Sequence, residues 1–352
     1  DIKLEKTATP VAGEPNTYEI QLTVKGKDIV TGKKADVVLV IDNSNSMHDE
    51  KYEGKSLAQI TNEAAKAFIQ GVLTEANNSS GNVRVAVVQY GTHARAYRFT
   101  NSTWSDNWSS GLNLNGNEIF TTDKAKAEAA VNSATTRSSQ GGTNTEGGFL
   151  MAKKVAEKRR PDAECIVIFM TDGMPTFRYD GNEAEKDSSF FLNGGIYTSK
   201  WELNEAIEAA QSLAQISKIY TVGLLSTFER NSNEAKLASN LLSKSPKKYT
   251  SDNDRLNIMP HVNNSSRWTA TSSYTEKYYP IFKGDNAAEM MQDIYKTLAG
   301  TINALANGTV TDTIPANFEL VDTIEELESK GFQVIDNGDG TVTLVYKDAA
   351  AS

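Results

Sequence analysis

The sequence predicts an α/β fold: a doubly wound, mostly parallel sheet with helices on both faces, inserted into a small β-sandwich module built from both chain ends. Two observations support this prediction. Uninterrupted apolar runs alternate with helical patterns through the middle of the chain, whereas both ends alternate polar and apolar residues. Continuous apolar runs are typical of strands buried on both faces of a parallel sheet.

The middle of the chain contains the predicted strands of that sheet and the predicted helices that cover it. Apolar strand runs lie at 37–41, 83–89, 165–170 and 219–225. Apolar residues three to four positions apart predict helices at 56–73, 123–134, 146–158, 202–216 and 286–305. A strand at 278–282 is expected at a sheet edge, because Pro280 cannot donate a ladder hydrogen bond. We therefore predict one α/β domain over residues 35–305.

Both chain ends have the pattern of antiparallel strands. Residues 17–25 alternate with period two, as do residues 340–347, which follow the turn sequence "DNGDG". Residues 309–320 are predicted to form short strands. We expect residues 1–34 and 306–352 to pair into one small β-module.

Composition excludes several classes of partner. The net charge of -9 disfavours nucleic acid, whose phosphates would be repelled. No stretch approaches the roughly 18 apolar residues of a membrane span, so none is expected in this chain. The single cysteine, Cys165, cannot form an internal disulfide and is expected to be a buried, inert thiol.

Residues whose side chains carry oxygen atoms follow the first apolar strand. In "VVLVIDNSNSMHD", residues 37–49, the strand ends in Asp42, Ser44 and Ser46. Asp172 follows another apolar run in "IFMTDG", and Thr143 lies in the glycine-rich "QGGTNTEGG" before a predicted helix. Because ligands gather outside the carboxyl ends of strands in open parallel sheets, we expect these five side chains on one rim.

Two converging carboxylates would repel each other in a poorly solvated site, and a divalent cation removes that repulsion. Carboxylate and hydroxyl oxygens without His or Cys suit Mg²⁺, Mn²⁺ or Ca²⁺ and disfavour Zn²⁺. Since the hydroxyls are neutral, the ion would keep net positive charge and accept one more anionic oxygen.

These residues resemble the von Willebrand factor type A domain, including the integrin inserted domains. The metal-ion-dependent adhesion site of that family has the pattern D-x-S-x-S, then a Thr, then an Asp, which is matched here by "DNSNS" at 42–46, Thr143 and Asp172. The resemblance implies that all five residues coordinate the metal directly or through water. It also implies adhesion, with a partner carboxylate completing the coordination of the ion.

Helix capping and phosphatase chemistry are the alternatives to a metal site in this cluster. Ser44, Ser46 or Thr143 could cap helices, which does not explain two aspartates at strand ends. Haloacid-dehalogenase-like phosphatases also place an Asp after an apolar strand, but their acid/base Asp two residues later is Ser44 here. Without a positioned acid/base, covalent phosphoryl transfer has no proton route, so no enzyme activity is expected.

The chain ends resemble the Cna-type β-modules of Gram-positive surface proteins. In that family a Lys forms an isopeptide bond promoted by a buried acid, and the resemblance assigns these roles to Lys6 and Asp312. A von Willebrand A domain nested in such a module resembles the tip adhesins of sortase-assembled pili.

The implied protein is an extracellular adhesin on a Gram-positive cell wall or pilus tip. Its expected partners are an extracellular-matrix or other cell-surface protein offering a carboxylate, and the pilus backbone or cell wall. The alternative is a structural pilus or wall subunit in which the metal only stabilises loops.

Long insertions at about 173–200 and 226–277 leave the same rim and carry aromatic residues. Exposed aromatic and Arg side chains are common anchors of binding surfaces. Candidate ligand contacts are Phe177, Arg178, Tyr179, Tyr197 and Trp268. The alternative is that these side chains pack together to hold the insertions in place.

Overall fold

The computed structural model describes residues 3–11, 18–25, 33–75, 77, 81–105, 115–137, 141–180, 183–185, 197–307, 310–314, 322–336 and 341–346. The chain divides into two compact units. The central unit is Lys34–Ile302, and the end unit combines Asp1–Lys33 with Asn303–Ser352.

The strands, in chain order, are β1 (Lys3–Pro10), β2 (Tyr18–Lys25), β3 (Lys34–Asp42), β4 (Lys51–Tyr52), β5 (Lys55–Ser56), β6 (Val83–Tyr90), β7 (Ala94–Arg98), β8 (Thr103–Ser105), β9 (Ala163–Thr171), β10 (Arg178–Asp180), β11 (Glu183–Glu185), β12 (Lys218–Leu225), β13 (Lys247–Tyr249), β14 (Trp268–Ala270), β15 (Thr275–Phe282), β16 (Val310–Ile314), β17 (Phe332–Asp336) and β18 (Val342–Tyr346). The helices are α1 (Asn45–Asp49), α2 (Leu57–Val72), α3 (Gly116–Ile119), α4 (Lys124–Ala134), α5 (Thr145–Ala156), α6 (Lys200–Ala214), α7 (Asn233–Leu242), α8 (Ala287–Asn307) and α9 (Ile324–Ser329).

The central unit is built on a seven-stranded sheet with the order β15-β12-β9-β3-β6-β7-β8. The first five of these strands are parallel, and β7 and β8 are antiparallel. The predicted doubly wound, mostly parallel sheet is therefore confirmed. The chain passes from β3 to β6 on one side and later to β9 on the other, so the strand order reverses at β3. Such a reversal opens a crevice at the carboxyl ends of the two central strands.

Helices cover both faces of this sheet. On one face, Val38 and Val40 of β3 share a buried core with Phe149 of α5 and with residues of α6 and α7. On the other face, α2 reaches the sheet where the Thr61 hydroxyl donates to Sδ of Met170 at 3.9 Å. Helix α8 packs on α2, since the rings of Phe68 and Tyr295 meet edge to face at 5.7 Å.

Local sequence fixes where the helices begin. Ser56 and Gln59 form a reciprocal capping box at α2, and Ser199 and Glu202 form another at α6. Helix α5 lies so close to the sheet that a Cβ at Gly148 would be 2.9 Å from Cδ1 of Tyr90. The capping boxes therefore fix the first turns of α2 and α6, and Gly148 permits the close packing of α5 on the sheet.

The predicted insertion at 226–277 is partly regular structure. Helix α7 lies within it and buries Ala235, Leu237, Ala238, Leu241 and Leu242. Its apolar face packs into the same core as α5 and α6. This part of the predicted insertion is therefore a helix of the layered fold, and the loop that remains is shorter than expected.

A buried ion-pair network holds the opposite end of the sheet. Asp36 of β3 is fully buried and accepts hydrogen bonds from Nε and Nη2 of Arg84 at 2.9 and 2.6 Å. It also accepts from the backbone N–H and Nε of Arg160 at 2.7 and 3.0 Å. Arg160 in turn donates to the carbonyl oxygens of Ala35 and Asn82. The network therefore joins the starts of β3 and β6.

The end unit contains two antiparallel sheets, β1-β2 and β16-β18-β17. Lys6 pairs with Leu22 in the first sheet, and Asp312 pairs with Leu344 in the second. The side chains of Lys6 and Asp312 lie outside the described part of the structure. Helix α9 was not predicted and begins at a Thr323–Glu326 capping box. Across the described residues, none of the helices combines the length and apolarity that a bilayer crossing requires.

Candidate metal centre

The five predicted site residues lie at the carboxyl ends of the central strands. Asp42 is the last residue of β3, and Asp172 directly follows β9. Ser44 and Ser46 are at the start of α1, and Thr143 precedes the α5 cap, Asn144. Since β3 and β9 are adjacent and parallel, their ends meet at the point where the strand order reverses.

Four of the five residues form a continuous hydrogen-bonded chain. The Ser44 backbone N–H donates to Oδ1 of Asp42 at 2.9 Å. The hydroxyl oxygens of Ser44 and Ser46 are 3.0 Å apart, and the Ser46 hydroxyl donates to Oδ1 of Asp172 at 3.1 Å. The side-chain oxygens of two strand ends are thereby brought into one cluster.

Main-chain hydrogen bonds fix the turn that carries Thr143. Its backbone N–H donates to Oγ1 of Thr176 at 3.0 Å, and its carbonyl accepts from the N–H groups of Thr176 and Phe177 at 2.9 and 3.2 Å. Thr143 lines the same cleft as Ser46 and Asp172. Thr143 therefore lies at the same rim of the sheet as Ser46 and Asp172.

Two supporting residues were missed by sequence reasoning. Oδ2 of Asp42 accepts from the Thr171 hydroxyl at 2.7 Å and from the Tyr90 hydroxyl at 3.3 Å. Tyr90 is fully buried, and its hydroxyl also donates to the Met170 carbonyl at 3.1 Å. These bonds fix the carboxylate plane of Asp42. Thr171 and Tyr90 end their strands, which is the signal that could have found them.

Burial makes the two carboxylates electrostatically unfavourable in their ionised form. Asp42 is 1% exposed and Asp172 is 2% exposed. Desolvation raises the pKa of Asp42, against the hydrogen bonds from Thr171 and Ser44. Desolvation also raises the pKa of Asp172 well above its usual value, and the negative charges of Asp42 and Glu50 raise it further.

The residues present fit a hard divalent cation. Oδ2 of Asp172 is buried with no hydrogen-bond partner, and such an orphaned carboxylate oxygen requires a compensating positive charge or donor. The residues that could hold the ion are Asp42, Ser44, Ser46, Thr143 and Asp172. These five side chains offer two carboxylates and three hydroxyls, which are hard oxygen ligands.

A cleft of about 550 Å³ opens above the cluster. Its lining residues are Asn45, Ser46, Asp49, Glu50, Thr92, Gly141, Gly142, Thr143, Asp172, Gly173, Met174, Thr176, Phe177 and Phe228. None of these described lining residues is basic. The described lining therefore offers an anion no basic side chain.

The candidate ligand contacts differ in whether they line the cleft. Phe177 lines the cleft, whereas Arg178, Tyr179, Tyr197 and Trp268 are not among its lining residues. Tyr179 is 5% exposed, and its hydroxyl accepts from the Ala94 N–H at 2.9 Å. That burial favours the packing alternative for Tyr179.

Trp268 and Arg178 also make contacts within the unit. Nε1 of Trp268 donates to the His261 carbonyl at 2.9 Å, and its ring meets that of Tyr249 edge to face at 5.2 Å. Nη1 of Arg178 lies 3.6 Å from a carboxylate oxygen of Glu205. Phe228, from the second predicted insertion, also lines the cleft, although no sequence pattern pointed to it.

Comparison with known proteins agrees with this architecture. Residues 37–174 match the von Willebrand factor type A domain family. The sheet order, the helices on both faces and this match define a fold of the von Willebrand A type. A search of curated proteins gives no match.

The solved structures that resemble this chain include pilus proteins. The pilus adhesin SpaC from Lactobacillus rhamnosus GG aligns with a TM-score of 0.51 and 15% identity, over 99% of this chain and 42% of SpaC. Its open conformation aligns with a TM-score of 0.50 and 14% identity, over 99% and 41%. The von Willebrand factor domain of the type V pili tip protein Mfa5 from Porphyromonas gingivalis gives a TM-score of 0.48 and 17% identity, over 77% of this chain and 97% of that chain. At these identities the likeness establishes the fold alone, and this chain spans about 42% of the SpaC chain.

Proposed function

We propose that the protein is an adhesin module that binds a partner carboxylate through a divalent cation, Mg²⁺ or else Mn²⁺ or Ca²⁺, held at a metal-ion-dependent adhesion site. One observation carries the proposal. Asp42 and Asp172 are buried together, linked through Ser44 and Ser46, with an unpaired oxygen on Asp172. A bound divalent ion would supply the positive charge that this arrangement lacks.

The residues of the chain itself account for cation dependence. Thr171, Tyr90 and the Ser44 N–H hold Asp42 in one orientation, so its carboxylate is ready for the ion without rearrangement. The cleft contributes acidic and neutral side chains but no basic ones among its described lining. A partner carboxylate would therefore be repelled by the metal-free cleft and attracted only once the ion is present.

The setting proposed for this module is the surface of a Gram-positive cell, on a pilus or the cell wall. Support comes from the overall fold, which resembles that of the pilus adhesin SpaC over 99% of this chain. The proposed partners are a matrix or cell-surface protein offering an acidic residue, and the pilus backbone or wall. We propose no enzymatic activity, because no acid/base group accompanies Asp42 in the manner of a phosphatase.

We further propose that the end unit is a Cna-like module with an isopeptide bond formed by Lys6 and promoted by Asp312. The two residues belong to strands of the same compact unit, β1 and β16.

A binding screen tests the proposed function. Immobilised matrix proteins are presented to the purified protein with Mg²⁺, with EDTA, and with EDTA followed by excess Mg²⁺. An adhesin binds only in the first and third conditions, and Ser46→Ala reduces that binding. The proposal fails if contacts persist in EDTA while only thermal stability changes, a result that would identify a structural subunit.

A further inference from the structure

We propose that the partner's acidic residue is flanked by a large apolar side chain, and that Phe177 and Phe228 receive this neighbour. The inference rests on the proposed function, because it takes the partner carboxylate to be at the cation. It adds the chemical class of the recognised segment: a single carboxylate next to bulky apolar groups, presented by an exposed peptide segment of a protein.

Phe177 is held against the loop that carries Thr143. A Cβ at Gly142 would lie 2.2 Å from Cδ2 and 2.3 Å from Cε2 of Phe177, so the ring rests directly on the Gly142 backbone. The Phe177 N–H is also bonded to the Thr143 carbonyl. The ring is half-buried and lines the cleft beside the proposed ligand oxygens. Only a glycine at position 142 permits this close approach.

Phe228 is a second aromatic residue that lines the cleft, and it comes from a different segment of the chain. Its backbone N–H donates to the Leu225 carbonyl, and its carbonyl accepts from the Lys283 N–H, both at 3.0 Å. Like Phe177 it is half-buried and lines the cleft, as does Met174, which is 5% exposed. Two aromatic residues with fixed backbones, next to the polar residues of the proposed metal site, are typical of a pocket that encloses an apolar group.

The charge of the cleft disfavours polyanionic partners. Asp49 and Glu50 line the cleft; the Asp49 carboxylate is paired with Arg137, whereas Oε2 of Glu50 is buried with no hydrogen-bond partner. A second negative group close to the first, as in a phosphate, a sulfated sugar or a run of acidic residues, would be repelled by Glu50. An apolar neighbour meets no such repulsion. The volume of about 550 Å³ is within the range of about 300–1,000 Å³ typical of ligand pockets, so more than one carboxylate fits.

Blocked pentapeptides test the inference directly. Calorimetry first measures Mg²⁺ binding to the protein alone. With Mg²⁺ saturating, titrations then compare Ac-Gly-Leu-Glu-Leu-Gly-NH₂, the same peptide with Ala in place of both Leu, and the Leu peptide with phosphoserine in place of Glu. We expect the Leu peptide to bind about tenfold more tightly than the Ala peptide, and the phosphoserine peptide to bind more weakly than the Leu peptide.

Three variants assign the preference to residues. Phe177→Ala and Phe228→Ala should each bring the Leu-to-Ala affinity ratio close to one while leaving Mg²⁺ binding within about twofold of the unmodified protein. Tyr279→Ala, which removes a half-buried aromatic ring outside the cleft, should leave the ratio unchanged. If Phe177→Ala disturbs the Thr143 loop and fails to fold, Phe228→Ala decides the result.

The possible failures are distinguishable. Equal affinity for the Leu and Ala peptides, a ratio that survives both phenylalanine variants, or a tighter phosphoserine peptide overturns the inference while the metal site stands. Absence of Mg²⁺ binding in the peptide-free titration overturns the proposed function and this inference together.

Discussion

The Ser46 hydroxyl donates a hydrogen bond of 3.1 Å to Oδ1 of Asp172, although the two residues are 126 positions apart in the chain. This bond joins α1, which follows β3, to the residue directly after β9. It exists because the two strands are neighbours in the sheet and run in the same direction. The candidate site is therefore a product of the strand order, and its properties can be tested through the residues that meet there.

Replacing Asp172 by Asn removes the charge of the side chain and keeps its shape. Asp172→Asn removes one of two buried like charges, so we expect the metal-free protein to have a thermal midpoint that is unchanged or higher. We expect Mg²⁺ affinity to fall more than about 100-fold, since a charged ligand is lost. Scanning calorimetry and isothermal titration with Mg²⁺ measure the two quantities.

Asp252→Asn is the matched control for this change. Its carboxylate is 84% exposed and pairs with Lys200, so its loss should leave both stability and Mg²⁺ affinity nearly unchanged. Retention of full Mg²⁺ affinity in Asp172→Asn would contradict the assignment of Asp172 as a ligand.

Stabilisation by Mg²⁺ should depend on pH. Burial raises the pKa values of Asp42 and Asp172 above the usual 3.8, so the folded metal-free protein binds protons more tightly than the unfolded chain. Its stability therefore falls as pH rises from about 3.8 through the raised pKa values. Mg²⁺ competes with those protons and should stabilise the protein most at neutral pH, by about 2.7 kcal/mol at about 100 times Kd, and little near pH 4.

Thermal midpoints with and without Mg²⁺, measured from about pH 4 to about pH 8, check this expectation. A Mg²⁺-induced shift that is the same at both ends of the range would show that the ion binds groups other than these carboxylates.

A methyl group at Gly142 should displace the Phe177 ring. Because the added Cβ of Gly142→Ala would lie 2.2 Å from that ring, we expect a destabilisation of about 1–3 kcal/mol. Gly173→Ala adds the same group where nothing lies within 4 Å and should cost much less. Urea unfolding compares the two, and equal effects would argue against the close packing of Phe177 on Gly142.

The buried network at Asp36 should matter for stability and not for binding. Asp36→Asn leaves Arg84 and Arg160, which are 11% and 18% exposed, without their carboxylate. We expect a loss of about 3–5 kcal/mol in the free energy of unfolding, with Mg²⁺ affinity retained. Asp162→Asn, which breaks the exposed pair with Lys34, should leave stability nearly unchanged.

Intact mass tests the proposed isopeptide bond. Formation of an amide by the Lys6 amine releases ammonia or water, so the protein should be about 17 or about 18 Da lighter than its sequence mass. Asp312→Ala should restore the calculated mass of the variant chain, and Glu325→Ala, an exposed acid of the same unit, should keep the deficit. A wild-type mass equal to the sequence mass would refute the bond.

Sequence patterns predicted the central sheet well because its strands are apolar on both faces. Each predicted apolar run lies within a strand, β3, β6, β9 or β12, and the helices between them were predicted within a few residues. Helix α7 was missed because it lies within a long stretch that is otherwise polar, although its buried apolar residues recur at helical spacing. Helix α9 was missed because a six-residue element has too few turns to show a period.

The sequence by itself determined the alternation of strands and helices and the oxygen-bearing residues that end the strands, since both are written in local residue order. Only the tertiary structure decided that Ser46 meets Asp172, that Tyr90 and Thr171 hold Asp42, and that Tyr179 is buried while Phe177 and Phe228 face the cleft. The physical reason is that these contacts join segments far apart in the chain. Their formation depends on which strands become neighbours, and no local pattern records that.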